Sequence, residues 1–389
     1  MGTNYASKLS EFIKSEQSSG VLLICCVTFS LIIANSSIGL PFQRLLSSEI
    51  GFHSDLIHLK FSLLNWINDG LMAIFFFFIG LEIKQELIDG HLSSFKKASV
   101  PVLAALGGAL IPALIFMFLN HGTVTHIGWG IPMATDIAFA LGILSLLGKI
   151  IPAALKVFLS TLAVVDDLLA ILIIAIFYTT ALNWNYLLAA IGIFLFLIAL
   201  NKLGIIHLTF YVIPGLVMWY FIHHSGIHAT IAGVLTALAI PSGSTNSSPL
   251  KKAAHSLATP VTFIIMPLFA IANTNIQFES AMITDILSML GLGIIIGLVF
   301  GKPIGIILFS WLAVKLKIGA LPEKISWKHI LGIGLLAGIG FTMSIFISFI
   351  SFGGSIYNLE AKFSILISSI LAGIFGFVYL KKVLKDTVS

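Results

Sequence analysis

Four ionisable side chains lie deep inside apolar segments of this 389-residue chain. Asp166 and Asp167 are adjacent in VFLSTLAVVDDLLAILIIAIFY, Asp136 lies in IGWGIPMATDIAFALGILSLL, and Lys302 lies in ILSMLGLGIIIGLVFGKPIGIILFSWLA. An ionisable group in such a segment is costly unless it is paired, neutralised or hydrated. One lysine neutralises one carboxylate, so the other two must be protonated or must hold a cation.

This excess of carboxylates indicates a site where protons and small cations compete. Carboxylate oxygens are hard ligands that suit alkali ions, and buried carboxylates that repel one another also bind protons readily. Neighbouring helical residues point about 100° apart, so one of the adjacent pair can meet Asp136 while the other meets Lys302. The alternative is an ion-pair network that only holds helices together, and the unequal number of charges argues against it.

The composition places these residues in a membrane. Hydrophobic residues make up 58% of the chain, charged residues make up 10%, and the mean hydropathy is +1.08. Apolar runs of about 20 residues recur nearly end to end, which predicts one all-α membrane domain over 1–389 with about twelve spans. The predicted spans are 20–37, 66–84, 98–118, 127–147, 157–178, 184–200, 207–222, 226–240, 257–273, 286–313, 329–350 and 360–380.

The basic residues predict the orientation of the spans. Nearly all loop lysines fall on one side, and only Arg44, Lys60 and Lys362 fall on the other, so the positive-inside rule places both termini in the cytoplasm. The net charge of +5 is therefore a signal of topology. No nucleic-acid partner is expected, because the lysines are scattered and lack a binding motif. Residues 41–65 are an insert that could form strands outside the membrane.

Two spans are expected to be interrupted. Pro132 precedes Asp136 by four residues, and Gly338 and Gly340 lie at the middle of the eleventh span. Paired breaks at matching depth indicate an inverted-repeat transporter with an ion site at the midplane. Half-helix N-termini favour a negative group and C-termini a positive one, so Asp136 and Lys302 are available for those two positions.

The sequence resembles the NhaA-type sodium/proton antiporters over nearly its whole length. The segments that carry the resemblance are WINDGLMAIFFFFIGLEIKQEL, PMATDIAFALG, LAVVDDLLAI, GIHATIAG, MPLFAIANT, GKPIGI and GIGFTMSIF. The resemblance implies twelve helices, with spans 3–5 and 10–12 related by inversion and spans 4 and 11 unwound where they cross. It also implies a bacterial inner-membrane protein that has no cofactor, is not an enzyme, and exchanges cytoplasmic Na+ or Li+ for external H+.

The resemblance assigns roles to the buried residues. Asp167 matches the carboxylate that binds the ion and carries the proton, and Asp136 matches its partner from the unwound fourth span. Asp166 matches a second carboxylate, which pairs with the position of Lys302. Thr135 matches a threonine that lends an oxygen to the ion. The resemblance also implies electrogenic exchange, with more H+ than Na+ per cycle.

Other polar residues match positions near the two mouths of the transporter. Glu82 and Asp69 match positions of the cytoplasmic funnel and the periplasmic side, and Glu86 and His228 match positions linked to pH response. Each also fits a simpler interpretation: an interfacial carboxylate at a helix end, hydration of the outer mouth, or a histidine hydrogen-bonded between helices. The insert at 41–65 matches a periplasmic β-hairpin used for homodimerisation.

One loop departs from the family pattern. KKAAHSLATPV has Ala254 and Ala258 where polar residues are expected, so part of the pH regulation is in question.

Two other classes of protein remain to be separated from an antiporter. An intramembrane aspartyl protease also uses two aspartates, but no GxGD segment surrounds these. A channel would line its pore with rings of residues, and Lys302 would repel a permeating cation.

Overall fold

The computed structural model describes residues 16–53, 58–179, 182–243, 248–279, 282, 285–322 and 325–388. Most of them are helical, with one two-stranded sheet, and the chain divides into two compact units. Unit 1 comprises the described residues of Met1–Cys25, His91–Ala170 and Phe278–Ser389, and unit 2 comprises those of Cys26–Gly90 and Ile171–Gln277. Helices α1 (Glu16–Ala34) and α7 (Ala153–Phe177) contribute to both units.

Unit 1 contains the two interrupted helices and the apolar helices that surround them. Its helices are α5 (Phe95–Leu119), α6 (Ile137–Ser145), α13 (Met289–Ile296), α14 (Lys302–Lys315), α15 (Trp327–Ala337), α16 (Phe341–Phe352) and α17 (Ile356–Val388). Short segments of other helical geometry are the 3-10 helices His91–Ser93, Val124–Met133 and Gly148–Ile150, and the π-helix Gly297–Gly301.

Unit 2 contains the remaining helices and the sheet. Its elements are α2 (Gly39–Ser47), β1 (Glu49–His53), β2 (His58–Ser62), α3 (Leu63–Asn65), α4 (Met72–Ile88), α8 (Trp184–Lys202), α9 (Thr209–His224), α10 (Ile231–Ala239), α11 (Pro249–Pro260) and α12 (Met266–Asn273). The π-helices Trp66–Leu71 and Val261–Ile265 join α3 to α4 and α11 to α12.

The apolar helices bear out a polytopic membrane protein. Among the described residues, seven helices are long and apolar enough to cross a membrane, and two bent pairs raise this number to nine. The bent pairs are Val124–Met133 with Ile137–Ser145, at 42°, and Trp327–Ala337 with Phe341–Phe352, at 47°. The three other predicted spans coincide with the shorter helices α4, α9 and α10, so the number twelve stays a prediction.

The breaks have local causes. Pro132 lies at the end of the 3-10 helix, and Ala134 and Asp136 then adopt extended backbone before α6 begins. In the second break, a Cβ on Gly338 would lie 2.5 Å from the Leu298 carbonyl oxygen, so only glycine allows this close approach. Both interruptions, expected at Pro132 and at Gly338 and Gly340, are therefore present.

The strands predicted within 41–65 are also present, although the insert is not entirely β-structure. β1 pairs antiparallel with β2, with Glu49 opposite Ser62, and residues 54–57 lie outside the described part of the chain. Lys60 forms an exposed ion pair with Glu49 at 2.8 Å, and this ammonium holds the pKa of the Glu49 carboxyl below its usual range. Residues 41–47 belong to α2, because Pro41 lies in a first helical turn, where its missing N–H costs no intrahelical bond.

Candidate functional site: the crossing of two broken helices

Asp136 lies at the start of two half-helices in unit 1. It is the N-cap of α6, where its Oδ1 accepts a hydrogen bond from the Phe139 N–H at 3.0 Å. Its Oδ2 accepts from the Thr342 N–H at 3.1 Å and from the Thr342 hydroxyl, at the start of α16. The partial positive charges of two helix N-termini therefore stabilise this carboxylate, which is 1% exposed.

Lys302 lies at the opposite kind of helix end. Its ammonium, which is fully buried, donates to the carbonyl of Met133, the last residue of the 3-10 helix, and to Asp166 Oδ2 at 2.5 Å. A C-terminal carbonyl end carries partial negative charge. The cation of Lys302 thus compensates both a carboxylate and the broken end of the first interrupted helix.

Asp166 and Asp167 reach this crossing from the middle of α7 and are each 2% exposed. Asp166 Oδ2 lies 2.6 Å from the Thr135 hydroxyl in addition to its pair with Lys302. Its other oxygen, Oδ1, is buried and makes no hydrogen bond, so its lone pairs are available to a proton or a cation. Asp167 interacts electrostatically with Lys302.

The two interruptions are also bonded directly to each other. The Asp136 N–H donates to the Ile339 carbonyl at 2.7 Å, and the Thr135 hydroxyl lies 2.9 Å from the Ala337 carbonyl. The Ser344 hydroxyl donates to the Ile131 carbonyl at 2.7 Å. Backbone groups released by each break are thus satisfied by the other broken helix.

The structure therefore joins Thr135, Asp166 and Lys302 through hydrogen bonds, with Asp136 next to Thr135 in the chain and Asp167 buried next to Asp166. The sequence predicts Thr135 beside Asp136 and Asp167, whereas its hydroxyl contacts Asp166 and the Ala337 carbonyl. Sequence reasoning also missed the Met133 and Ala337 carbonyls and the Thr342 hydroxyl. A signal for that hydroxyl was present, since GIGFTMS places a threonine just after the second break.

The residues matched to the mouths of the transporter lie in unit 2. His228 Nε2 lies 3.8 Å from Asp69 Oδ1, and the His228 Nδ1 contacts the Thr230 hydroxyl at 3.1 Å. The Trp219 indole N–H donates to the Asp69 carbonyl at 3.4 Å. These contacts fit a histidine that links helices as well as they fit a pH sensor.

Glu82 and Glu86 are half-buried on successive turns of α4 and interact electrostatically. Lys84, between them in sequence, donates to the Leu238 carbonyl at 2.6 Å and to a second carbonyl at the end of α10. The segment that departs from the family pattern is expected from the sequence to be a loop, but it is helical, because residues 251–260 belong to α11, where Ala254 is buried.

The carboxylate oxygens at the crossing lie beside the ammonium of Lys302, which is unlike the ligand set of a resident metal ion. In the part of the chain that the structure describes, no group of three or more His, Cys, Asp or Glu side chains is arranged to hold a metal ion. A buried carboxylate cluster where two broken helices of a polytopic membrane protein meet is the arrangement of a secondary ion transporter.

Comparison with known proteins identifies the family. The family model described as Na+/H+ antiporter 1 matches residues 10–380. The chain therefore belongs to the Na+/H+ antiporter 1 family, and the resemblance carried by its motifs is confirmed. Members of this family are secondary transporters, so the expectation that the chain is not an enzyme is also confirmed.

Similar proteins cover the chain almost completely. A Na(+)/H(+) antiporter NhaA 2 from Flavobacterium johnsoniae is 57% identical over 379 residues, which are 97% of this chain and 93% of that protein. A Na(+)/H(+) antiporter NhaA from Flavobacterium psychrophilum is 52% identical over 97% of both chains. Another, from Dechloromonas aromatica, is 48% identical over 97% of this chain and 96% of that protein.

Proposed function

We propose that the protein exports cytoplasmic Na+ or Li+ in exchange for external H+, and that more H+ than Na+ moves in each cycle. The observation that carries this proposal is the buried pair of Asp166 and Lys302 at the crossing, with Asp167 beside it and one oxygen of Asp166 free of hydrogen bonds. Carboxylates in this setting can hold either a proton or a small cation, and binding of one displaces the other.

The contacts support a division of roles among the carboxylates. Asp136 accepts three hydrogen bonds at two helix N-termini, and these bonds stabilise its ionised form. Asp167 exchanges a proton for the transported ion, and Asp136 and Thr135 contribute to holding that ion. Asp166 and Lys302 carry the second proton, as their pair forms and breaks.

The same proposal includes the finer architecture. Twelve spans, with spans 3–5 and 10–12 related by inversion, are supported by the two bent helices. In sequence, α7 follows the first bent helix and α14 precedes the second. Inverted-repeat transporters, of which this family is an established example, hold their ions where such helices break. The distribution of basic residues supports an inner-membrane protein with both termini in the cytoplasm.

Regulation and assembly complete the proposal. Glu82, Glu86 and His228 respond to pH, and the β1–β2 hairpin joins two copies into a homodimer. Support comes from the half-buried Glu82 and Glu86 side chains, from the contact of His228 with Asp69, and from the exposed apolar side chains of the hairpin, Ile50 and Phe52. No cofactor takes part.

Flux in sealed vesicles tests the assignment. In proteoliposomes acidified inside, external Na+ should release the proton gradient, whereas an intramembrane protease would leave it unchanged and a channel would need no gradient. Asp167→Asn and Asp136→Asn should abolish or severely weaken this flux without unfolding the protein, because an amide neither releases a proton nor supplies a full negative charge.

The exposed Asp89, paired with Lys251 at 2.8 Å, provides the matched control. Asp89→Asn removes a carboxylate of unit 2 by the same chemistry, and its flux should equal that of the unaltered protein. Near-normal sodium-dependent flux in folded Asp167→Asn would refute the assigned role.

A further inference from the structure

The outer face of α14 forms an open groove with the start of α15 in unit 1. The groove has a volume of about 570 Å³, and its walls are the apolar side chains of Ile304, Ile307, Leu308, Trp311 and Trp327. The four wall residues of α14 are spaced i, i+3, i+4 and i+7, so they share one face of the helix. Trp311 and Trp327 are 44% and 38% exposed, so both indole rings can contact a molecule in the groove.

The groove extends along about half the thickness of a bilayer. Its deep end, Ile304, lies two residues after Lys302, whose ammonium is buried at the crossing. From Ile304 to Lys315 the helix rises about 16 Å, which is about half of the roughly 30 Å hydrocarbon core. At the deep end α14 and α15 touch, since a Cβ on Gly334 would lie 2.9 Å from the Pro303 Cα. The groove therefore matches the acyl chains of a single leaflet.

The opposite end of the groove is positively charged. Lys315 is the last residue of the apolar span Met289–Lys315, and its Nζ lies 4.4 Å from the centre of the Trp311 ring. The sequence from Ile304 to Lys328 contains four lysines and one glutamate, and Lys315 and Lys328 are exposed. Tryptophan and lysine side chains at the end of a span are typical of the level of the lipid headgroups.

We propose that this groove binds an anionic phospholipid, with an acyl chain along Ile304, Leu308 and Trp311 and with the phosphate beside Lys315. The apolar walls contact the chain, and the ammonium attracts the negative headgroup. A zwitterionic lipid offers the same chains without the net charge, so it binds more weakly. The positive-inside rule predicts that this headgroup belongs to the cytoplasmic leaflet. The site is separate from the carboxylates of the crossing and does not depend on the proposed exchange.

The charge of the groove favours a lipid over a second copy of the chain. Two copies have the same orientation in a membrane, so a symmetric contact through this face would bring Lys315 of each copy to the same depth. Like charges that face each other across an interface are unfavourable. An anionic headgroup supplies the complementary charge.

Quenching of tryptophan fluorescence by brominated acyl chains tests the site. The full-length protein is reconstituted into vesicles of phosphatidylcholine and phosphatidylglycerol, with bromine on the chains of one lipid or the other. The signal of the groove is the difference between the unaltered protein and a Trp311→Phe, Trp327→Phe double variant, since the chain has six tryptophans. Attraction of one lysine to an anionic headgroup predicts that phosphatidylglycerol is preferred by about fivefold at these two residues.

Lys315→Gln should reduce the preference to about twofold or less, because the headgroup loses the nearest ammonium. Lys381→Gln is the matched control, since Lys381 of α17 is exposed and its Nζ lies 5.6 Å from the centre of the Phe377 ring. This control removes the same charge from another pair of a lysine and an aromatic ring and should retain the preference. Each variant is compared with its own Trp311→Phe, Trp327→Phe form.

Four outcomes would overturn the site. Equal quenching by the two lipids would show ordinary contact with the surrounding bilayer. Protection of Trp311 and Trp327 from both lipids would show that a protein surface, such as a second copy, covers the groove. Equal losses of preference in Lys315→Gln and Lys381→Gln would show that overall charge attracts the lipid. Loss of the preference on addition of excess soluble glycerol phosphate would show that the lysines bind phosphate without the groove.

Discussion

At the scale of single residues, the site depends on one buried cation. Lys302 compensates Asp166 and the Met133 carbonyl at once. Removal of one partner from a buried ion pair leaves an uncompensated charge, which costs more than the pair itself contributes.

Lys302→Gln should therefore destabilise the protein by about 3–5 kcal/mol, because Asp166 is left buried without its counter-ion. Thermal unfolding in detergent measures the effect, and the double variant Lys302→Gln with Asp166→Asn should recover part of the loss. Lys381→Gln, which removes an exposed lysine of α17, is the control and should be nearly neutral. Equal stability of the single and double variants would contradict this account of the pair.

Thr342 supports Asp136 in a way that can be tested separately. Thr342→Val retains the backbone donor and the side-chain shape but removes the hydroxyl bond to a buried carboxylate, at a cost of about 1.5–3 kcal/mol. We expect lower thermal stability and a raised KM for Na+, with both restored in Thr342→Ser. A Thr342→Val variant with unchanged stability and KM would show that the backbone donors alone hold Asp136.

The sequence predicts the participants of this site better than their contacts. Charged residues in apolar segments are conspicuous, so Asp136, Asp166, Asp167 and Lys302 can be found from the hydropathy pattern of the sequence. The partners of Thr135 cannot, because they depend on the relative rotation of three helices. Backbone acceptors such as the Met133 carbonyl have no sequence signature, since every residue has a carbonyl.

At the scale of elements, unit 1 is held by a contact between two helix backbones. Gly107 of α5 and Gly305 of α14 approach so closely that a Cβ on Gly305 would lie 2.1 Å from the Gly107 carbonyl oxygen. Lys302 lies one helical turn before Gly305 on α14. The separation of these helices therefore determines where the ammonium of Lys302 can reach.

Gly305→Ala should separate α5 from α14 and move Lys302 from its two acceptors, so both thermal stability and exchange activity should fall. Gly192→Ala is the matched control, since a Cβ there meets nothing within 4 Å and alanine favours a helix by about 1 kcal/mol. This control should retain activity and be as stable as the unaltered protein or slightly more so. Full activity in Gly305→Ala would mean that the position of Lys302 does not depend on this contact.

Hydrophobic runs predict most helices but not their internal geometry. The Pro and Gly residues of the two breaks give a local signal, and both breaks are present. The π-helix Gly297–Gly301 has no such signal in the sequence. Its wider turn nevertheless changes the direction in which the side chain of Lys302, the first residue of α14, points from the helix. The predicted span 226–240 begins too early, because Gly226 has a φ of +86° and the helix starts only at Ile231.

At the scale of the whole molecule, the proposed exchange of more than one H+ for each Na+ predicts a net movement of charge across the membrane. If two protons enter for each Na+ that leaves, one positive charge moves inward per cycle. A membrane potential then contributes about 2.3 kcal/mol per charge per 100 mV to Na+ export. In proteoliposomes, a potassium-valinomycin potential without a pH gradient should drive Na+ uphill. Sodium movement indifferent to that potential would mean one-for-one exchange and would remove the second-proton role of Asp166 and Lys302.

Assembly through the hairpin can be separated from transport. Replacing residues 49–62 by a short glycine-serine linker removes both strands, and the mass of the detergent-solubilised protein should fall from that of a dimer to that of a monomer. Exchange should persist, since every contact described at the crossing lies in unit 1. A dimer that survives this deletion would place the homodimer interface elsewhere.

The exposed apolar surface of helix α8 makes the thickness of the surrounding bilayer important for this protein. Of the residues in its apolar span, 17% are buried, compared with 67% for α7, so most residues of α8 have exposed surface. Its 19 residues extend about 28 Å, close to the hydrocarbon thickness of an ordinary bilayer. A thicker or thinner membrane forces such a helix to tilt or the lipids beside it to deform. We therefore expect acyl-chain length to affect the protein through α8, a helix that holds none of the charged residues of the crossing.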